Sequence, residues 1–135
     1  MVEGLSHITF IVRDLDRMSD LLCQLLDAKE IYVSGEETFS LSKERFFDIG
    51  GVWAATMEGH PLPERSYNHV AFKIPEEEYD MRLSQVRELG LEVREGRSRV
   101  EGEGRSIYFY DHDNHLFELH TGTLQDRLER YGAAR

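Results

Sequence analysis

Two histidines stand 62 residues apart in matching surroundings: His7 in "LSHITFIV" and His69 in "YNHVAFKI". Each is followed three residues later by a phenylalanine, Phe10 and Phe72. Near the end, "HLFELH" places Glu118 and His120 on one side of an alternating strand, with Phe117 and Leu119 on the other. Two imidazoles and a carboxylate are a donor set for a hard or borderline divalent ion. A carboxylate on an apolar strand is costly unless it is paired or ligated. Carrying the 62-residue offset back from Glu118 lands on Thr56, which is not a strong ligand. Such a centre would keep positions open for water or substrate, as catalytic sites do. His115 and His120 are alternative donors, with His115 in the turn "DHDNH". The competing reading is two buried histidines bonded within their strands and a Glu118 paired with an arginine.

A second constellation is "RVEGEGRSIYFYD", residues 99–111. It holds two glycines bracketed by arginines, then a hydroxyl and two phenols. Glycines let a backbone approach an anion closely, and cations, hydroxyls and phenols can bind one. This stretch fits a small oxyanion, or else it is a hairpin loop with solvated charges.

The elements needed to position these groups repeat. After His7 comes "RDLDRMSDLLCQLLDAKE", with Leu15, Met18, Leu22 and Leu25 at helical spacing and Asp14 as N-cap. After His69 comes "PEEEYDMRLSQVRELG", with Pro75 in the first turn, Tyr79, Leu83 and Val86 on one face, and Gly90 as the stop. Strands are expected at "EIYVS", "TFSLS" and "RFFDIGGVWAATME", then at "LEVRE", "RSIYFYD" and "NHLFELHTG". Each half therefore reads β-α-β-β-β. The expected layout is one α+β domain: a first module over about 1–58, a linker at 59–66 with two prolines, a second module over about 67–122, and a last helix over about 123–133 capped by Thr123. One half of this size is marginal alone. Two halves, or halves exchanged between chains, would share a cup, and a homodimer is expected.

Composition narrows the partners. Of 135 residues, 40% are hydrophobic, enough for a core. The formal net charge of −10 argues against nucleic acid or an anionic membrane. An anionic substrate must be drawn in by local cations. With no apolar run long enough to span a bilayer, a soluble cytoplasmic protein is expected. The single cysteine, Cys23, rules out an internal disulfide and is expected to be a buried structural thiol.

On "GLSHITFIVRDL", "YNHVAFKI" and "RVEGEGRSIYFYDHDNHLFELHTGTLQDRL", the chain resembles the vicinal oxygen chelate superfamily. More closely it resembles the fosfomycin-resistance proteins, and among them the FosX class, which adds water to the epoxide of the antibiotic. That resemblance implies paired β-α-β-β-β modules in a domain-swapped dimer. It implies Mn(II) on His7, His69 and Glu118, with the first histidine from the opposite chain. It places the phosphonate against Thr9, Tyr67, Ser106, Tyr108 and Arg127, with Arg97 or its rival Arg99 as the loop cation. It makes Glu44, in "LSKERFF", the base. The related glutathione class has a potassium loop with serines on both sides; Gly102 takes one of those places here. The implied activity is hydration of fosfomycin. Its rivals are thiol transfer to the same antibiotic, metal-free sequestration, and a glyoxalase-like isomerase or extradiol dioxygenase.

Overall fold

The sequence repeat is also a repeat of topology. The computed structural model describes residues 1–94 and 104–133. Its elements are β1 (His7–Val12), α1 (Leu15–Leu26), β2 (Lys29–Val33), β3 (Glu44–Ile49), β4 (Val52–Glu58), β5 (His69–Lys73), α2 (Tyr79–Glu88), β6 (Val93–Arg94), β7 (Ser106–Tyr110), β8 (Leu116–His120) and α3 (Leu124–Ala133). One sheet has the order β1-β4-β3-β2 and the other β5-β8-β7-β6. In each, the first strand runs parallel to the last and the other pairs are antiparallel. The chain forms two compact units: residues 1–65 with 111–115, and residues 66–110 with 116–135.

In the first unit, Asp14 caps α1, its carboxylate accepting from the Arg17 N–H at 3.0 Å. Leu15, Met18, Leu22 and Leu25 are buried with Phe10, Val12, Phe47 and Ile49 from the strands. Alternation therefore leaves the opposite sheet face free of α1. That face carries His7, Thr9 and Ile11 of β1, Trp53, Ala55 and Met57 of β4, and Glu44, Phe46 and Asp48 of β3. The turn 111–115 belongs to this unit, with Arg13 Nε donating to Asp113 Oδ1 at 3.1 Å and Asn114 Nδ2 to the Leu62 carbonyl at 2.7 Å.

Three expectations need correction in this unit. "TFSLS" forms no strand, and Phe39 and Leu41 are exposed. β2 and β3 pair directly with each other, and that segment lies in the connection between them. "RFFDIGGVWAATME" is not one strand but the hairpin β3–β4. Gly50 and Gly51 turn it at φ of 57° and 89°, the positive-φ pair of a type I′ turn. Cys23 is exposed rather than buried, on the flank of the α1 stripe.

In the second unit, Pro75 leads a short 3-10 turn (Glu76–Glu78) into α2, and Gly90 follows it at φ 72°. Val86 is fully buried over Ile107, Phe109, Phe117 and Leu119. The core also takes in Arg82, which donates from Nη2 to Glu78 Oε1 at 2.8 Å. The other face of the sheet carries His69, Ala71 and Lys73, Leu116, Glu118 and His120, Ser106, Tyr108 and Tyr110, and Arg94. Thr123 caps α3, accepting from the Asp126 N–H at 3.1 Å. Among the described residues no helix is long and apolar enough to cross a membrane.

Candidate metal and anion site

In the second unit, the parallel ladder puts Ala71 across from Glu118, and the antiparallel ladder puts Tyr108 on Glu118's other side. His69 Nδ1 stands 2.7 Å from the Tyr67 carbonyl oxygen, which can only accept, so Nδ1 carries the proton. In a neutral imidazole of that tautomer, Nε2 is an acceptor. It faces Glu118 Oε1 at 3.1 Å. Two acceptors that close need a proton or a cation between them. Donors about 2.1 Å from one metal ion and at right angles stand about 3 Å apart. The pair therefore fits two neighbouring positions around a divalent ion. No arginine pairs with Glu118 among the described residues.

The other carboxylate oxygen is held within the protein. Ser106 Oγ lies 2.6 Å from Glu118 Oε2 and 2.7 Å from His120 Nδ1. The start of β7 is fixed by Gly104, at φ 83°, where a Cβ would come within 2.5 Å of the Gly122 nitrogen. Arg105 N–H donates to Thr121 Oγ1 at 2.8 Å beside it.

Phenols surround the pair. Tyr67 packs on His69 with ring centroids 4.9 Å apart, and its hydroxyl donates to the Tyr108 hydroxyl at 3.2 Å. Burial foremost, then the bond to Tyr67 and the negative charge of Glu118, raises the Tyr108 phenol above its ordinary pKa. It keeps its proton near neutral pH and stays a donor. Arg94, a residue the sequence reading passed over, lies on the same face. Its guanidinium is 4.9 Å over the Tyr67 ring, and Nη1 donates to the Tyr110 hydroxyl at 2.9 Å. No carboxylate pairs with it among the described residues. The signal was the alternation of "LEVRE", which turns Val93 to the core and Arg94 to this face. Arg127 lies on α3, partly exposed, with no side-chain ion pair among the described residues. Arg97, Arg99 and Gly102 lie outside the described residues.

The first unit holds the remaining candidates. His7 is exposed, its ring tilted on Trp53 at 4.2 Å and its Nδ1 3.0 Å from Ser6 Oγ. Thr9 follows on the same face. Glu44 opens β3 on that face. It is only 8% exposed, and its carboxylate has no partner among the described residues. It lines a cavity of about 370 Å³ with Val33, Ser34 and Lys43, and with Leu15 and Arg45 from the α1 side. The repeat counterpart of Glu118 is Ala55 rather than Thr56. Thr9 pairs with Ala55 as Ala71 pairs with Glu118, so the offset grows by one residue between the first and last strands of the modules. Thr56 points to the α1 side, its Oγ1 buried and unbonded among the described residues. His115 is engaged in its own turn, Nδ1 to Asp111 Oδ2 at 2.7 Å. No three histidine, cysteine or acidic side chains converge on one metal position among the described residues; His69 faces one oxygen of Glu118, and His120 Nδ1 stands 3.3 Å from the other.

The family model of the Glyoxalase/Bleomycin resistance protein/Dioxygenase superfamily matches residues 4–119. Fosfomycin resistance protein FosX of Listeria innocua is 59% identical over 131 residues, 97% of this chain and 98% of that one. FosX of Mesorhizobium japonicum is 62% identical over 130 residues, 96% of this chain and 94% of that one. The fold superposes on a crystal structure of a FosX mutant from Listeria monocytogenes, complexed with Mn(II) and 1S,2S-dihydroxypropylphosphonic acid. The TM-score is 0.89 at 55% identity, covering 97% of this chain and 99% of that one.

Proposed function

Since the chain belongs to the glyoxalase/bleomycin resistance protein/dioxygenase superfamily and, within it, to the FosX fosfomycin resistance proteins, we propose that it is a Mn(II)-dependent hydrolase that opens the epoxide of fosfomycin with water. The observation that carries this reading is the His69–Glu118 pair, imidazole Nε2 and carboxylate oxygen 3.1 Å apart, beside the Tyr67 and Tyr108 phenols and an arginine, Arg94, that pairs with no carboxylate among the described residues. A phosphonate needs the phenols and the cation, and an epoxide needs a Lewis acid. The diol in the Listeria monocytogenes FosX crystal is what water addition to a propyl epoxide yields.

In this reading the metal is held by His69 and Glu118, with His7 of the partner subunit as third ligand in a homodimer. Both modules then form one functional domain. Bound there, Mn(II) supplies Lewis acidity toward the epoxide oxygen. Tyr67, Tyr108, Arg94 and Arg127, with Thr9 and Arg97, bind the phosphonate and orient the ring. Arginine suits the task because its planar fork can engage two phosphonate oxygens. Ser106 lies among them, but a phosphonate would have to draw its single proton away from Glu118. Glu44 accepts the proton of the attacking water. The water oxygen bonds to a ring carbon, the ring C–O bond breaks, and the released oxygen recovers a proton.

The test is incubation with fosfomycin and Mn(II), followed by phosphorus NMR with and without a thiol. Thiol-independent conversion to the dihydroxy phosphonate supports the reading. A product that forms only with a thiol identifies a transferase, and stoichiometric protection without turnover identifies sequestration.

A further inference from the structure

We infer that His120 is a positioning residue for Glu118, acting through the hydroxyl of Ser106. This rests on the metal-site reading above and goes beyond it. Glu118, His120 and Ser106 share the face of the second sheet opposite Ile107, Phe109 and Leu119, with Ser106 directly across from His120. Ser106 Oγ is within bonding distance of both Glu118 Oε2, at 2.6 Å, and His120 Nδ1, at 2.7 Å. A hydroxyl has one proton to give. A carboxylate oxygen can only accept, so that proton goes to Glu118. The lone pair of Ser106 must then be met by a donor, which fixes the hydrogen of His120 on Nδ1. The result is a directed chain: His120 Nδ1–H to Ser106 Oγ, and Ser106 Oγ–H to Glu118 Oε2.

The chain divides the carboxylate. Oε2 is tied back into the protein, while Oε1 is presented to His69 Nε2 at 3.1 Å. Rotation of the carboxylate about its own bond would break the short contact to Ser106. The chain therefore selects one ligand oxygen and holds it at one angle. It also gives His120 a role distinct from ligation: Nδ1, the nitrogen nearer Glu118, stands 3.3 Å from Oε2 directly but only 2.7 Å from the Ser106 hydroxyl, to which it donates. Groups that orient a ligand in this way typically affect metal affinity about 10–100-fold.

The experiment measures the Mn(II) Kd by electron paramagnetic resonance on the intact protein, alongside thermal melting and fosfomycin hydration. His120→Leu should weaken Mn(II) binding about 10–100-fold. His120→Asn should recover most of that affinity, because its side-chain amide places an N–H where Nδ1 stood. Ser106→Ala should weaken binding as His120→Leu does. The double variant should be no weaker than either single one, because the two act in one chain. Unchanged affinity in His120→Leu and Ser106→Ala, with only the melting temperature lowered, overturns the inference. Additive losses, or an Asn variant as weak as Leu, overturn it in favour of direct ligation by His120. A parent that neither binds Mn(II) nor hydrates fosfomycin fails the functional reading instead, before any variant is compared.

Discussion

Glu44 and Ser106 occupy the same place in the two repeats. Each opens the third strand of its module, Glu44 across from Met57 and Ser106 across from His120. Where the second module sets a hydroxyl that serves a carboxylate, the first sets a carboxylate with no partner among the described residues. The role proposed for that carboxylate is to accept the proton of the attacking water. Glu44→Gln preserves shape and removes the base. Hydration should fall by about 10²–10⁴-fold, with Mn(II) and fosfomycin affinities little changed. A rate within a few-fold of the parent, or a loss traced to absent metal, would remove Glu44 from the mechanism.

Glu118 faces His69 Nε2 with one oxygen and Ser106 with the other. In Glu118→Gln the ligand loses its charge. Mn(II) affinity, measured by titration, should drop by at least about 10–100-fold, the range seen when only a supporting group is lost. An unchanged Kd would shift the metal away from this pair.

The proposed homodimer takes the third metal ligand, His7, from the partner subunit. Mixing inactive His7→Ala with inactive Glu118→Gln should restore activity if the partner supplies His7, because a heterodimer then holds one intact site. A verified heterodimer with no activity contradicts the sharing.

Cys23 is exposed, yet its thiol is raised above its ordinary pKa by partial desolvation and by the negative charges of Glu30 and Asp20. A raised pKa means less thiolate at neutral pH. Labelling by a disulfide reagent should be slow at pH 7 and accelerate beyond pH 9. Cys23→Ser should hydrate fosfomycin at the parental rate. Fast labelling at pH 7 contradicts the assigned shift.

Part of the candidate site was legible because strand alternation is a local property: Glu118 and His120 could be set on one face, with Phe117 and Leu119 on the other, from the period of two alone. The helix caps were equally readable, as Asp14 and Thr123 show. What the sequence hid depends on pairing between strands. One constant offset placed the counterpart of Glu118 at Thr56, whereas the ladder puts it at Ala55, since the modules differ by one residue before their last strands. "TFSLS" alternates like a strand, yet β2 and β3 pair directly with each other and it joins no ladder. Arg94 looked like one charge in a charged stretch until its register with Tyr108 set it on the site face. Cys23 lies close enough to the α1 stripe that periodicity alone assigned it to the wrong side.

The central claim is that water, not a thiol, opens the epoxide. The most direct measurement is mass spectrometry of the product formed in ¹⁸O-labelled water, with Mn(II) present and no thiol added. A dihydroxypropylphosphonate carrying one solvent-derived oxygen, formed over many turnovers, is the predicted result. Unreacted fosfomycin under those conditions, with ring opening only when a thiol is supplied and sulfur in the product, would contradict it.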